Sequence, residues 1–484
     1  MRPLLRLARL PRPVQGFVTS ARLQVNANTP KPHVFTIDSI GESVKAVPLK
    51  RPDVSHNHAI DNSIGPSFAT IEAAKPAKVV CSDHGLSIEA PGVLSLPLDY
   101  SYLRDLCKCP QCVDRYSKQR SFRTNDIPTD IRPRHIKWDG VHLEIQWAND
   151  IPGAGPDHLS RWHHSYLRKP TLNTHDIHEF SNKTKTWDAK IMQKHQHWVS
   201  YEDYMTNDAN FAASMRNLQR TGLIFVKDIP DAREEVAKVA TRMGPLRNSF
   251  YGMTWDVRTV PEAKNVAYTN HFLGFHMDLM YMNEPPGYQL LHCLENSCDG
   301  GESLFADAFR AAYKMKQFFP EEFKELTRRK LGYEYVHEDQ IYYNERPVFE
   351  LAESSQHLRH VNYSPPFQSA MPIEGELRFQ PLKKALDVFT QMLESEEMCF
   401  DLKLNPGECV IFDNRRIVHA RRHFNTSTGS RWLAGAYVDT DAVLSCFNVM
   451  SKKQPDVWQA ADCMVQSADD LIQPEELDQA VAQA

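Results

Sequence analysis

His276 and Asp278 stand two positions apart in the stretch NHFLGFHMDLMYMNEPPGYQ, and the residues that give this pair a meaning lie far down the chain. On an extended strand, side chains at i and i+2 project from the same face. If this segment is a strand, an imidazole and a carboxylate therefore point together. Alone, the His-x-Asp spacing is weak, because such pairs are common among unrelated surface residues. A second run, PGECVIFDNRRIVHARRHF, carries an apolar strand at CVIF, turns at Asp413-Asn414 and reaches His419. Shortly afterwards Arg431 opens the strand-like run RWLAGAYV. Two imidazoles and one carboxylate on one face of an octahedron, with the other positions open, form the donor set of a non-haem Fe(II) oxygenase. An arginine beside them suits a dicarboxylic co-substrate, because its planar guanidinium matches a carboxylate with two parallel hydrogen bonds. Each part has a bland reading, with His419 as a turn residue and Arg431 as a surface cation. The four together, in this order, are much rarer than any one of them.

The pattern around these residues is dominated by strands. YQLLHCL, ESLFADAF, FDLKL, ECVIFD and RWLAGAYV read as strands, and PEEFKELTRRK and QPLKKALDVFTQMLESEE as helices between them. Upstream, DANFAASMRNLQRTGLIFVKDI predicts a helix and then a strand from Gly222. DAREEVAKVATRMG predicts a short helix with Asp231 at its start and Gly244 at its end. Residues 176–200 are polar and read as a linker or surface helix. The expected fold class is mainly β with flanking helices, a sandwich or barrel.

The first half differs. Residues 1–75 are rich in Pro, Asn, Ser and Lys without periodicity, the composition of a loose arm. From 76 to 175, VVCSDHGLSIEAPG and HIKWDGVHLEIQW alternate apolar and polar residues, which predicts a small antiparallel sheet. Between them LRDLCKCPQCVDRYSKQR places Cys107, Cys109 and Cys112 within six residues. Thiolates favour zinc, which takes four N or S ligands in a tetrahedron, and three cysteines leave one position to fill. GPDHLSRWHHSYL offers His158, His163 and His164. His158 is favoured because it precedes the expected helix LSRWHHSYL. Four protein ligands leave no place for substrate, so such a site is structural. The alternative is three independent reduced thiols.

The remaining bounds are coarse. A formal net charge of −5 argues against a nucleic-acid partner, which favours a basic face. No apolar run is long enough for a membrane span. The ten cysteines are otherwise scattered, and no secretory signal accompanies them, so reduced thiols are expected. At the N-terminus Arg2, Arg6, Arg9, Arg12 and Arg22 punctuate leucines, with no acid before Asp38. That is the composition of a mitochondrial presequence. A disordered basic tail on a cytoplasmic protein is the alternative.

Three segments together carry a resemblance. NSFYGMTWDV through NVAYTNHFLGFHMDLMYMNEPPGYQLLHCLENSCDGGES, then NPGECVIFDNRRIVHARRHF, then SRWLAGAYVDTD are similar to the γ-butyrobetaine and trimethyllysine dioxygenases. Those enzymes form part of the taurine-dioxygenase-like Fe(II)/2-oxoglutarate oxygenases. The resemblance spans roughly residues 80–450, the cysteine cluster included, and leaves the first 75 residues uncovered. It implies a double-stranded β-helix (jelly-roll) catalytic domain over 176–450, a small zinc domain over 76–175 and a helical tail over 451–484. It implies that His276, Asp278 and His419 hold iron, and that Arg431 and Leu291 contact 2-oxoglutarate. Cys107, Cys109, Cys112 and His158 would hold zinc. The implied activity couples decarboxylation of 2-oxoglutarate by O2 to hydroxylation of a small molecule, with ascorbate as reductant and a homodimeric protein. An aspartate at position 278 leaves no coordination place for a halide, which argues against a halogenase.

For the substrate, a trimethylammonium group donates no hydrogen bond and is held by aromatic faces. Tyr251, Trp255, Tyr268 and Tyr437 match cage positions of the family, and Asn265 a polar contact. Tyr437 has separate support, since it shares a strand face with Arg431. Two positions depart from the family pattern. Leu279 stands where an aromatic residue often follows the metal aspartate, and Ser364-Pro365 where paired asparagines are usual. FYGMTW and PPGYQLLHC favour γ-butyrobetaine hydroxylation to carnitine. The alternatives are trimethyllysine, another small substrate, or a zinc-containing binding protein without chemistry.

Overall fold

A computed structural model of the chain describes residues 33–36, 70–73, 78–89, 97–164, 184–258, 272–352, 357–370 and 379–459. Two compact units divide it, Met1–Leu172 and Asn173–Ala484.

The first unit holds two four-stranded sheets. In one, His33–Thr36, Lys78–Cys81, Gly85–Glu89 and Leu98–Asp99 follow each other in antiparallel order. In the other, Thr70–Ala73 runs parallel to Pro133–Trp138, which continues antiparallel through His142–Trp147 to Leu159–His163. The two-residue period sorts the side chains. Leu143, Ile145 and Trp147 are buried on one face of their strand and join Leu86, Ile88, Ile136, Trp138 and Trp162 in one core. LSRWHHSYL corrects an expectation, because Leu159–His163 is a strand and not a helix. Ser160 and Trp162 point inward while Leu159 and Arg161 face out, the alternation that pairing with His142–Gln146 requires.

The second unit is built on a six-stranded and a four-stranded sheet. Six strands run in the order Thr254–Arg258, Arg431–Val438, Tyr288–Asn296, Cys409–Asp413, Leu223–Lys227 and Trp198–Ser200, all antiparallel except the last pair. Four more run antiparallel in the order Leu273–His276, Ile417–Arg421, Ser303–Asp307 and Phe400–Leu402. The sheets pack face to face. Leu223, Phe225, Leu291, Val410, Phe412 and Leu433 of the first share a core with Phe305, Phe400 and Ile417 of the second. Burying each such side chain is worth roughly 1.5–3 kcal/mol, so this layer outweighs any local preference along the strands. The opposite face of the six-stranded sheet, through Ile224, Leu290, Ile411 and Ala436, is covered by helices Asp208–Thr221, Glu235–Met243 and Thr440–Lys453. The architecture is therefore mixed sheets with flanking helices.

Local chemistry sets several boundaries. Asn207 caps Asp208–Thr221 by accepting from the amides of Ala209 and Asn210, and Gly222 closes it at φ 72°. The next helix starts at Glu235 rather than at Asp231, and its cap residue Glu234 makes no side-chain cap bond. The segment expected as a linker or surface helix is described from residue 184, and over 184–200 it is a helix and an edge strand tied into the core. Trp187 is fully buried with its Nε1 donating to Thr221 O at 2.7 Å, Ala189–His195 is helical, and Trp198–Ser200 is an edge strand. No helix among the described residues is long and apolar enough to cross a membrane.

Candidate active site

His276 and His419 meet across the smaller sheet, where they are register partners on antiparallel strands. Their rings lie 4.1 Å apart between centroids. Asp278 Oδ1 is 3.4 Å from His276 Nε2 and 3.9 Å from His419 Nε2. One ligand atom from each residue lies within 4.8 Å of the others. His276 Nδ1 sits 2.9 Å from Gly274 O, which holds the proton on Nδ1 and turns the Nε2 lone pair toward the cluster. Burial, followed by the neighbouring His276, lowers His419 to about 3, so its imidazole is neutral and able to ligate. Burial would raise the Asp278 carboxyl, but its contacts with His276 and His419 and the hydrogen bond from Tyr437 outweigh it and hold it well below the usual range. Two imidazoles and one carboxylate suit an octahedral divalent iron, and the three residues fit that ion.

The route by which Asp278 arrives differs from expectation. The strand stops at His276, and Asp278 lies in the turn that follows. Asn414, fully buried, holds that turn: its Oδ1 accepts from Asp278 N at 2.8 Å, and its Nδ2 donates to Asp278 O at 3.1 Å. The next residue, Leu279, adopts φ 59°, an uncommon value for a bulky side chain. Such strain costs about 1–3 kcal/mol and persists only where the surroundings impose it. Leu279 thereby faces the cleft beside the metal ligands.

That cleft contains most of the other expected residues. Tyr251, Trp255, Leu291, Arg431 and Tyr437 line it together with the triad. Asn265 and Tyr268 lie outside the described residues. Arg431 is 8% exposed, and its Nε meets no hydrogen-bond partner among the described residues. Burial lowers its guanidinium to about 10, which leaves it charged at neutral pH. It lies over the Phe424 ring at 5.7 Å, and Gly301, at φ 77°, gives it room, since a Cβ there would come within 3.2 Å of Arg431 Cδ. A buried cation without a counter-charge is costly, so this one fits an anionic ligand. Tyr281, which could stand in for the aromatic residue that Leu279 replaces, also lines the cleft, and sequence reasoning missed Phe367, Arg421 and Gln289, which line it too. The Gln289 carboxamide oxygen is buried without a donor among the described residues. Gln289 and Leu291 alternate along one strand facing the cleft, a spacing visible in YQLLHCL. Ser364 is buried but is not part of the lining.

In the first unit, Cys107, Cys109, Cys112 and His158 present ligand atoms within 4.8 Å of one another. His158 Nε2 is 3.5 Å from Cys107 Sγ and 3.3 Å from Cys112 Sγ. A tetrahedral zinc with Zn–S of about 2.3 Å and Zn–N of about 2.0 Å would separate such donors by about 3.5 Å, so the four residues fit it. Two residues absent from the sequence reading complete the environment. Asp150 takes His158 Nδ1 at 2.6 Å and Arg104 Nε at 2.6 Å, and Arg104 Nη1 reaches Cys112 Sγ at 3.3 Å. Hydrogen bonding, first from Cys112 and then from His158, pulls Cys107 down toward the thiolate.

The comparisons follow the same division. The profile of the "Taurine catabolism dioxygenase TauD, TfdA family" matches residues 188–437, and the "Gamma-butyrobetaine hydroxylase-like, N-terminal" profile matches 81–167. Dioxygenase str8 of Strobilurus tenacellus is 32% identical over 73% of this chain and 86% of its own. Gamma-butyrobetaine dioxygenase of Homo sapiens is 29% identical over 73% of this chain and 90% of its own. Mitochondrial trimethyllysine dioxygenase of Homo sapiens is 29% identical over 72% of this chain and 81% of its own.

Proposed function

From the premise that the chain belongs to the TauD, TfdA dioxygenase family and is a 2-oxoglutarate-dependent dioxygenase, we propose that it hydroxylates γ-butyrobetaine to L-carnitine. One observation carries the substrate class: the wall of Tyr251, Trp255, Tyr281, Phe367 and Tyr437 lies in the same cleft as His276, Asp278 and His419. Aromatic faces attract a quaternary ammonium at about 0.5–2 kcal/mol per well-placed ring, and a desolvated cleft favours the upper end.

His276, Asp278 and His419 would hold Fe(II), and Arg431 would pair with the distal carboxylate of 2-oxoglutarate, with Leu291 packing against its chain. The iron supplies oxidation of an unactivated C–H at the expense of O2 and 2-oxoglutarate decarboxylation, and ascorbate serves as reductant. The protein's own residues bind and orient. Arg431 fixes one end of the co-substrate, the aromatic wall fixes the cationic end of the substrate, and apolar Leu273, Phe305 and Leu433 keep the cleft poor in water. Positioning of this kind turns a bimolecular encounter into a near-unimolecular step. The two packed sheets are read as a double-stranded β-helix.

Trimethyllysine is the second reading, favoured by the human enzymes' equal 29% identity and by Leu279 in the place of an aromatic residue. The test supplies purified protein with Fe(II), ascorbate, 2-oxoglutarate and each substrate in turn, and reads products by mass spectrometry. Carnitine as the main product supports the proposal. Faster hydroxylation of trimethyllysine replaces it with the second reading, and succinate with neither points to another small molecule.

The thiol cluster is proposed to hold one structural zinc. For that ion, Asp150→Ala is expected to weaken binding about 10–100-fold, because it frees the ligating imidazole to rotate. Competition with a colorimetric chelator measures this, and unchanged affinity would remove Asp150 from the site. A mitochondrial location is proposed on the arginine-rich leader and the named location of a relative. A homodimeric state is proposed on the family resemblance.

A further inference from the structure

The phenol of Tyr437 is placed to do something other than hold a cation. Its hydroxyl donates to Asp278 Oδ2 at 2.6 Å, while Oδ1 of the same carboxylate is the oxygen near both imidazoles. The two oxygens therefore have different partners. One face of the Tyr437 ring is covered by Trp255, stacked at 3.9 Å between centroids and 28° between planes. That stack depends on Gly435. Thr254–Arg258 pairs with Arg431–Val438 so that Trp255 is opposite Gly435, and a Cβ there would lie 2.4 Å from Trp255 Cε2. The indole thus lies on bare backbone, and it presses the phenol into place. Tyr437 is 1% exposed, so its hydroxyl has no solvent to turn to.

From this geometry we infer that Tyr437 is a positioning residue for the metal-binding carboxylate, engaging Oδ2 so that Asp278 ligates through Oδ1 alone. The inference rests on the proposed metal triad. It matters because an ion held by two imidazoles and one oxygen keeps three octahedral positions open. A second carboxylate oxygen would take one of the three places needed by a chelating co-substrate and O2. Trp255 is then the residue that presents an aromatic face to a cation, and the stack ties that face to the metal ligand.

The variant Tyr437→Phe removes one oxygen and retains the ring and its stack. Divalent-metal affinity is titrated with Co(II) or Mn(II), and γ-butyrobetaine affinity is read separately on the metal-free protein by tryptophan fluorescence. Losing an outer hydrogen bond to a ligand is expected to weaken metal binding about 10–100-fold, with cation affinity and Tm retained. The visible absorption band of the anaerobic Fe(II)·2-oxoglutarate complex should shift as well. Unchanged metal affinity and an unchanged band in folded Tyr437→Phe overturn the inference. Loss of cation affinity with metal affinity intact overturns it too, and leaves Tyr437 with its place in the aromatic wall alone. Wild-type protein that binds no metal defeats the triad instead. Should Tyr437→Phe fail to fold, Tyr437→Leu, which is smaller and also lacks the phenol, carries the metal titration.

Discussion

Replacing His276 with alanine is expected to bring 2-oxoglutarate turnover down to the assay background and to abolish stoichiometric divalent-metal binding. The reason is geometric. His276 supplies one of three donor groups, and the remaining pair, Asp278 and His419, cannot define one face of an octahedron. The fold should survive, because His276 is the last residue of its strand and its side-chain hydrogen bond is to Gly274 O within the same strand. Phe275 and Met277 on either side remain in the core. Succinate release measured by mass spectrometry, metal content after gel filtration and far-ultraviolet circular dichroism separate these effects. Turnover that persists in the variant contradicts the placement of the metal.

The second large effect belongs to Arg431→Leu. Here the Michaelis constant for 2-oxoglutarate should rise with little change in divalent-metal affinity. Removing one partner of a buried, hydrogen-bonded charge pair costs about 2–5 kcal/mol, on the order of thirty-fold to a few thousand-fold in affinity. The free protein should lose no stability and gain some, because its buried guanidinium has no counter-charge among the described residues. Arg431→Lys should recover part of the affinity, since an ammonium supplies the charge without the planar pair of donors. Isothermal titration on the anaerobic metal-loaded protein measures all three forms. Equal 2-oxoglutarate affinity in wild type and Arg431→Leu would move the co-substrate elsewhere in the cleft, with Arg421 the next cation lining it.

Most of the centre was legible because its elements are sharply patterned. CVIF and RWLAGAYV read as strands from composition alone, and a strand's two-residue period placed Arg431 and Tyr437 on one face, where both line the cleft. The thiol spacing and His158 likewise pointed to a cluster that the fold assembles. What stayed hidden depended on partners far away in sequence. Asp278 was expected on a strand, yet it sits in a turn held by Asn414, a clamp no local pattern reveals. LSRWHHSYL has apolar residues at helical spacing, and a run so short is decided by its pairing with His142–Gln146. Asp150 and Arg104 are ordinary charged residues in the sequence, and only the folded unit brings them to His158 and Cys112. Tyr437 was legible as an aromatic residue facing the site, but its bond to Asp278 Oδ2 depends on the stack over Gly435.

The proposed function joins an Fe(II)/2-oxoglutarate centre and an aromatic seat for a trimethylammonium group in one cleft. It is tested most directly by comparing γ-butyrobetaine with its neutral isostere, in which a tert-butyl group replaces the ammonium. Both have nearly the same shape, so only the charge distinguishes them at the aromatic wall. A desolvated cation–π contact of about 2 kcal/mol corresponds to more than tenfold in selectivity. The measurement is hydroxylated product, with ¹⁸O from ¹⁸O2, formed per succinate released. The expected result is ¹⁸O-labelled carnitine in step with succinate, with kcat/KM for the isostere lower by tenfold or more. Equal kcat/KM for the two compounds, or succinate released without labelled product from γ-butyrobetaine, would contradict it.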